Sequence, residues 1–163
     1  MEIADKYPDS VVAGIDVAPI QERKSVPQNC WFYCGNMLDK GLRFVEEPFD
    51  LIQSRSMAMA IPDHLWPAYV AAIHEKMKYE GWVQFIEMEP FRQCYGPLPS
   101  LSYLGEYEKV VAKVMLSKYD VTLGGLGTKL MDYLEDAGFI NIKKEDGITQ
   151  LGNWTKGIRS SLF

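Results

Sequence analysis

The chain has 163 residues, 47% of them apolar and 24% charged, with a net charge of −5. That length suits one domain with a single core, 1–163, and is too short for two. An acidic balance without a basic stripe argues against a nucleic-acid partner held by phosphate neutralisation. No apolar run approaches the roughly 20 residues of a membrane span, and no basic-then-apolar leader opens the chain, so a cytoplasmic or nuclear location and no membrane partner are expected.

Residues 2–7 look helical and stop at Pro8, whose ring disfavours helix in the residue before it. After the turn Pro8-Asp9-Ser10, "VVAGID" (11–16) is a nearly continuous apolar run, suited to a strand covered on both faces. Ala18-Pro19 ends it, and a helical turn is expected over 19–23. "CWFYC" (30–34) is a second strand, closed by Gly35-Asn36. "FDLIQSR" (49–55) is a third, entered through Pro48.

From Asp63 the period changes. Leu65, Trp66, Tyr69, Val70, Ile73 and Met77 recur at three- and four-residue steps, which predicts an amphipathic helix over 64–79 capped by Asp63. Gly81 stops it, and "WVQFIEME" (82–89) is a fourth strand. The Pro- and Gly-rich 96–105 is a loop. A second helix is expected over 102–119 and a third over 127–137, ended by Gly138. "INIKKED" (140–146) alternates and predicts a strand, paired antiparallel with a last one, "ITQLGNW".

The class expected is therefore α/β, a mostly parallel open sheet with a C-terminal antiparallel pair. Ligands in such sheets sit outside the carboxyl ends of the strands. Asp16 ends the first strand and is followed by Val17: its carboxylate either accepts two bonds from a ribose diol or caps the following turn. Asn36 either reads an adenine edge or holds the turn after Gly35. Ser54, Arg55 and Ser56 leave the third strand, putting a cation at the sheet edge to meet either a ligand or an internal acid such as Glu87. Met57 and Met59 are pocket wall or core.

Three cysteines, Cys30, Cys34 and Cys94, are read as free thiols in a reducing compartment. His64 and His74 stand ten residues apart with no further ligand cluster, so no metal site is expected. Gly124-Gly125-Leu126-Gly127 follows a helix and lacks P-loop spacing, which favours a connector opening the third helix over a phosphate cradle.

Taken in order, "ADKYPDSVVAGIDVAPIQ", "NCWFYCGNM", "PFDLIQSRSMAMAI", "EGWVQFIEMEP" and "LEDAGFINIKKED" resemble the S-adenosylmethionine-dependent methyltransferases of Rossmann-like fold, closest to the fungal LaeA-like members of secondary metabolism. The resemblance runs over nearly the whole chain. It implies S-adenosylmethionine as cofactor, bound by Asp16, Val17, Asn36, Met37, Ser54 and Arg55, and a small-molecule methyl acceptor. Asn36 stands where the family usually has an acid, and Tyr79-Glu80-Gly81 replaces the family's Pro-Gly-Gly. Methyl transfer is mainly a matter of positioning; Glu87, Glu89 and Tyr103 are the candidate proton acceptors.

The resemblance also implies a strand and an acidic-x-Gly-x-Gly-x-Gly loop just upstream of "ADKYP", which these residues lack. The family's central strand would lie between those ending at Asp16 and Arg55, leaving two edges with unpaired backbone groups. Those strands either pair with each other, or take a strand from a protein partner or a second copy, or belong to a fragment. Weak or absent cofactor binding by the chain alone is expected. The alternatives are a non-catalytic methyltransferase-like partner and a cofactor-independent biosynthetic enzyme such as a cyclase.

Overall fold

The computed structural model describes residues 2–19, 25–40, 46–88 and 103–147. In chain order these form α1 (Glu2–Lys6), β1 (Val12–Asp16), β2 (Cys30–Cys34), α2 (Met37–Lys40), β3 (Phe49–Arg55), a 3-10 turn (Asp63–Leu65), α3 (Trp66–Glu75), β4 (Met77–Ile86), α4 (Leu104–Tyr119) and α5 (Leu126–Asp136). The chain is α/β and its strands pair in parallel, as the alternation of apolar runs and helical periods implied.

The strands form two sheets of two, β1 with β2 and β3 with β4, in place of one open sheet. β1 and β2 run in unbroken register from Val12 opposite Cys30 to Asp16 opposite Cys34. No strand among the described residues pairs with the second edge of β1 or of β3, so direct closure of β1 on β3 is not the arrangement adopted. β1, expected to be covered on both faces, is only half-buried along its length.

Both sheets nevertheless lie on one core. Ile61, Trp66, Tyr69, Val70 and Ile73 form its centre with Leu126 and Leu130 of α5. Ile15 of β1, Met37 of α2, Ile52 of β3 and Val83 and Phe85 of β4 pack against it. The core-forming side chains of α3 recur at the three- and four-residue steps that predicted the helix, and Pro67 occupies its first turn, where a missing N–H costs nothing.

α3 ends at Glu75, four residues before the expected end. Met77 continues the helical period, yet it lies opposite Phe49, whose N–H bonds the Lys76 carbonyl at 2.8 Å. Tertiary pairing therefore overrides the local pattern, and β4 begins five residues earlier than predicted. Phe49 to Leu51 on β3 faces Met77 to Trp82 on β4, an irregularity absorbed by Glu80 at φ 63° and by Gly81. A Cβ on Gly81 would stand 2.9 Å from the Lys78 carbonyl oxygen and 3.2 Å from that of Asp50, so the backbones approach too closely there for a side chain. Beyond it β4 alternates, with Val83 and Phe85 turned to the core and Trp82 and Ile86 outward.

One further expectation differs. Residues 140–146 form no strand: their alternation finds no strand beside it among the described residues, and Ile140 is largely exposed. The last strand, the helical turn at 19–23 and most of the loop at 96–105 lie outside the described residues. α5 ends as predicted, with Gly138 at φ 97° and the Phe139 N–H reaching back to the Leu134 carbonyl at 3.0 Å. Among the described residues no helix is long and apolar enough to cross a membrane.

Candidate functional site

The carboxyl ends of the strands hold the residues singled out in the sequence. At the end of β1 the Asp16 carboxylate accepts the Ala18 N–H at 2.9 Å through Oδ1, closing a turn over its own backbone. The Gly35 N–H bonds the Asp16 carbonyl at 2.9 Å, which brings the corner after β2 against the end of β1. Cys34 donates its thiol to the Val17 carbonyl at 3.3 Å. Asn36 follows, and its Oδ1 accepts the Leu38 N–H at 2.9 Å, capping the short α2. Asp16, Val17, Gly35 and Asn36 thus form one corner. Val17 is exposed, and Met37 turns to the core.

The second cluster lies at the ends of β3 and β4. Ser54 is buried, and its hydroxyl stands 3.0 Å from the Tyr69 hydroxyl of α3. Tyr69 meets Trp66 and Phe85 edge-on, with ring centroids 5.6 and 6.5 Å away. Just past β3 the chain turns sharply, with Ser56 at φ 59°. That turn is held from β4: the Ser56 N–H bonds the Ile86 carbonyl at 3.0 Å, and the Glu87 carboxylate takes the N–H groups of Met57 and Ala58 at 3.0 and 2.8 Å.

Burial raises the pKa of Glu87, with the two backbone N–H groups working against it. Burial likewise raises Tyr69, opposed by its bond to Ser54 and reinforced by the Glu87 charge. Both oxygens of Glu87 are engaged, so in this arrangement it braces the turn. Arg55, offered in the sequence as a partner for Glu87, points outward, and no ion pair among the described residues includes it.

Tyr103 stands elsewhere, exposed at the start of α4, and Glu89 lies outside the described residues. Gly124 and Gly125, at φ 91° and 81°, open α5, and the Gly125 carbonyl accepts the Thr128 and Lys129 N–H groups at 3.3 Å. Cys30 is a buried free thiol and Cys34 an exposed one; Cys94 lies outside the described residues.

Sequence reasoning missed Tyr69, which it took for one more apolar position on α3. The available signal was its hydroxyl: a tyrosine amid a helix's buried face needs a polar partner.

No family model matches the chain. Among curated proteins it is 31% identical over 94 residues to the protein-methionine methyltransferase laeA of Emericella nidulans, a match covering 58% of this chain and 24% of that protein. It is 26% identical over 155 residues to the secondary metabolism regulator laeA of Aspergillus flavus, covering 94% of this chain and 41% of the relative. Methyltransferase cpsF of Aspergillus campestris is 25% identical over 134 residues, 80% of this chain and 45% of the relative. The chain is a distant relative of LaeA-like methyltransferases, and it spans less than half the length of these curated relatives.

Proposed function

We propose that this chain carries the ribose and adenine side of an S-adenosylmethionine cleft, in a methyltransferase of fungal secondary metabolism that acts on a small molecule, and that alone it holds the cofactor weakly. The observation that carries this reading is the corner joining Asp16 to Asn36 at the carboxyl ends of two in-register parallel strands. Asp16 commits Oδ1 to Ala18 and keeps Oδ2 for a diol hydroxyl. Asn36 commits its amide oxygen to Leu38 and keeps its amide N–H groups for a ring nitrogen, where an acid could only accept. Val17 is the exposed apolar neighbour.

The cofactor, when bound, supplies a methyl group already activated on a sulfonium. The protein's own part is to hold donor and acceptor in line, and a loosely held cofactor forfeits much of that gain. The edges of β1 and β3 that no strand among the described residues pairs support the weak binding, because strands paired on one edge only hold their carboxyl ends less rigidly.

Calorimetry and amide chemical shifts on titrating S-adenosylmethionine test this. Weak, saturable binding that shifts residues 16–18 and 35–38 and is lost in Asp16→Ala is expected. Micromolar one-to-one binding overturns the weak-cofactor part, and shifts unaffected by Asp16→Ala overturn the site. The methyl acceptor is tested by following a labelled methyl group into small molecules or into protein in fungal extract.

A second reading has its own support. The same open edges suit a non-catalytic, methyltransferase-like chain that takes a strand from a protein partner. A complex whose formation protects the amides of β1 and β3, with no cofactor binding in the complex, would favour it.

A further inference from the structure

α4 is apolar on two sides. Val111, Ala112 and Met115 are half-buried, while Tyr103 (82% exposed), Tyr107 (60%), Val110 (61%) and Val114 (40%) face outward. These four follow one another at steps of four, three and four, the spacing of a two-helix seam, while Leu116 and Tyr119, also exposed, lie off it. Beside the seam, on one flank, stand Glu106 and, one heptad later, Lys113. Lys109 bonds Glu106 at 2.9 Å, whereas no ion pair among the described residues includes Lys113.

We infer that α4 is the seam of a homodimer, in which two copies of this chain pair their outward stripes antiparallel about a two-fold axis. Charge selects both occupant and direction. Reversing the second helix sets Glu106 of each copy against Lys113 of the other, giving two opposite-charge contacts from one flank. A parallel pair would set Lys113 beside Lys118 of the other copy, and a partner of uniform charge would be repelled at one end of the seam. The overall charge of −5 opposes association only weakly, since physiological salt screens it beyond about 8 Å.

A 16-residue helix is about 24 Å long, and one such helix buries less than the roughly 800 Å² per partner of a standard interface. The dimer is therefore concentration-dependent.

Sedimentation of the full chain over a concentration series tests the proposal. Wild type dimerises; Glu106→Lys alone and Lys113→Glu alone each weaken association about tenfold, replacing two attractive contacts with two repulsive ones. The double variant E106K/K113E and an equimolar mixture of the two single variants both recover it. Val110→Glu abolishes it. All three positions are exposed, and circular dichroism of the same samples reports that the fold is kept. A wild type that stays monomeric, a double swap that fails to restore, or association that persists in Val110→Glu and so belongs to the open strand edges, overturns the inference.

Discussion

The Glu87 carboxylate accepts the backbone N–H of Ala58 at 2.8 Å, so the residue leaving β4 fixes the turn leaving β3. Its other oxygen takes the N–H of Met57 at 3.0 Å. Two backbone donors that Ser56, at φ 59°, swings away from the ladder are satisfied in this way. Arg55 is consequently not needed to neutralise Glu87 and remains at the strand end as an outward-facing cation.

Glu87→Gln should destabilise the chain by about 1–2 kcal/mol, because the amide keeps one acceptor and turns an N–H toward a backbone donor. Urea unfolding checks the size. The pH dependence has a definite sign, since burial holds the native Glu87 above its ordinary value of 4.5. In the window between 4.5 and the raised native value the folded chain binds the proton that the unfolded chain has released. The stability difference between wild type and Glu87→Gln should therefore grow as pH falls through that window. A difference that shrinks on acidification would contradict the assignment.

Ser54 and Tyr69 should behave as a coupled pair. Tyr69→Phe leaves a buried serine hydroxyl without its partner, and Ser54→Ala leaves the tyrosine hydroxyl so; each is expected to cost about 1–3 kcal/mol. With both hydroxyls gone no polar group is stranded, and the double variant should cost less than the two single losses added together. Unfolding free energies in a double-mutant cycle give the coupling, and strict additivity would show that the two hydroxyls act independently.

How much of this was legible follows from range. The bounds of β2 and β3 match the sequence reading, and β1 differs by one residue, because each is a short apolar run closed by turn residues. Asp16 and Asn36 were found because strand ends are where α/β sheets place ligands, but the bonds they make locally, to Ala18 and Leu38, are as short-range as the motif itself. What failed is what depends on distant partners. Met77 fits a helix and is taken by Phe49; 140–146 alternates like a strand without a neighbouring strand among the described residues; the Tyr69 hydroxyl answers to Ser54, fifteen residues away. The division into two sheets is of the same kind, since no local pattern says which edges meet.

Asn29 shows the same long reach. Its side-chain amide donates to the carbonyls of Ala4 and Tyr7, both at 3.1 Å, and of Ser10 at 2.8 Å, tying the end of α1 to the start of β2. Asn29→Ala should cost about 1–3 kcal/mol, and Asn29→Asp more, because the isosteric carboxylate would turn an acceptor toward three acceptors. Hydrogen exchange should quicken first at the amides of Tyr7 and Ser10, which bond within this turn. Equal loss in the two variants would mean that the donors contribute nothing beyond packing.

Asp63 gives the opposite pH signature to Glu87. Burial pushes its carboxyl up, but hydrogen bonds from Thr122 and Lys129 outweigh burial and hold it below the ordinary 3.8. Oδ1 accepts the Thr122 N–H at 3.0 Å and Oδ2 the Lys129 ammonium at 3.1 Å, clasping the 3-10 turn to the segment leading into α5. A depressed native value means that its stabilisation is present above pH 3.8 and is lost as pH falls through the native value. Asp63→Asn keeps an oxygen for Thr122 and drops only a partly exposed ion pair, a loss of about 0–1 kcal/mol. Asp63→Ala also strands the Thr122 N–H and should cost about 1–3 kcal/mol. Both differences from wild type should narrow on acidification, in the pH range where that of Glu87→Gln is still widening or already at its largest; parallel slopes for the two sites would refute the pairing of Asp63 with Thr122 and Lys129.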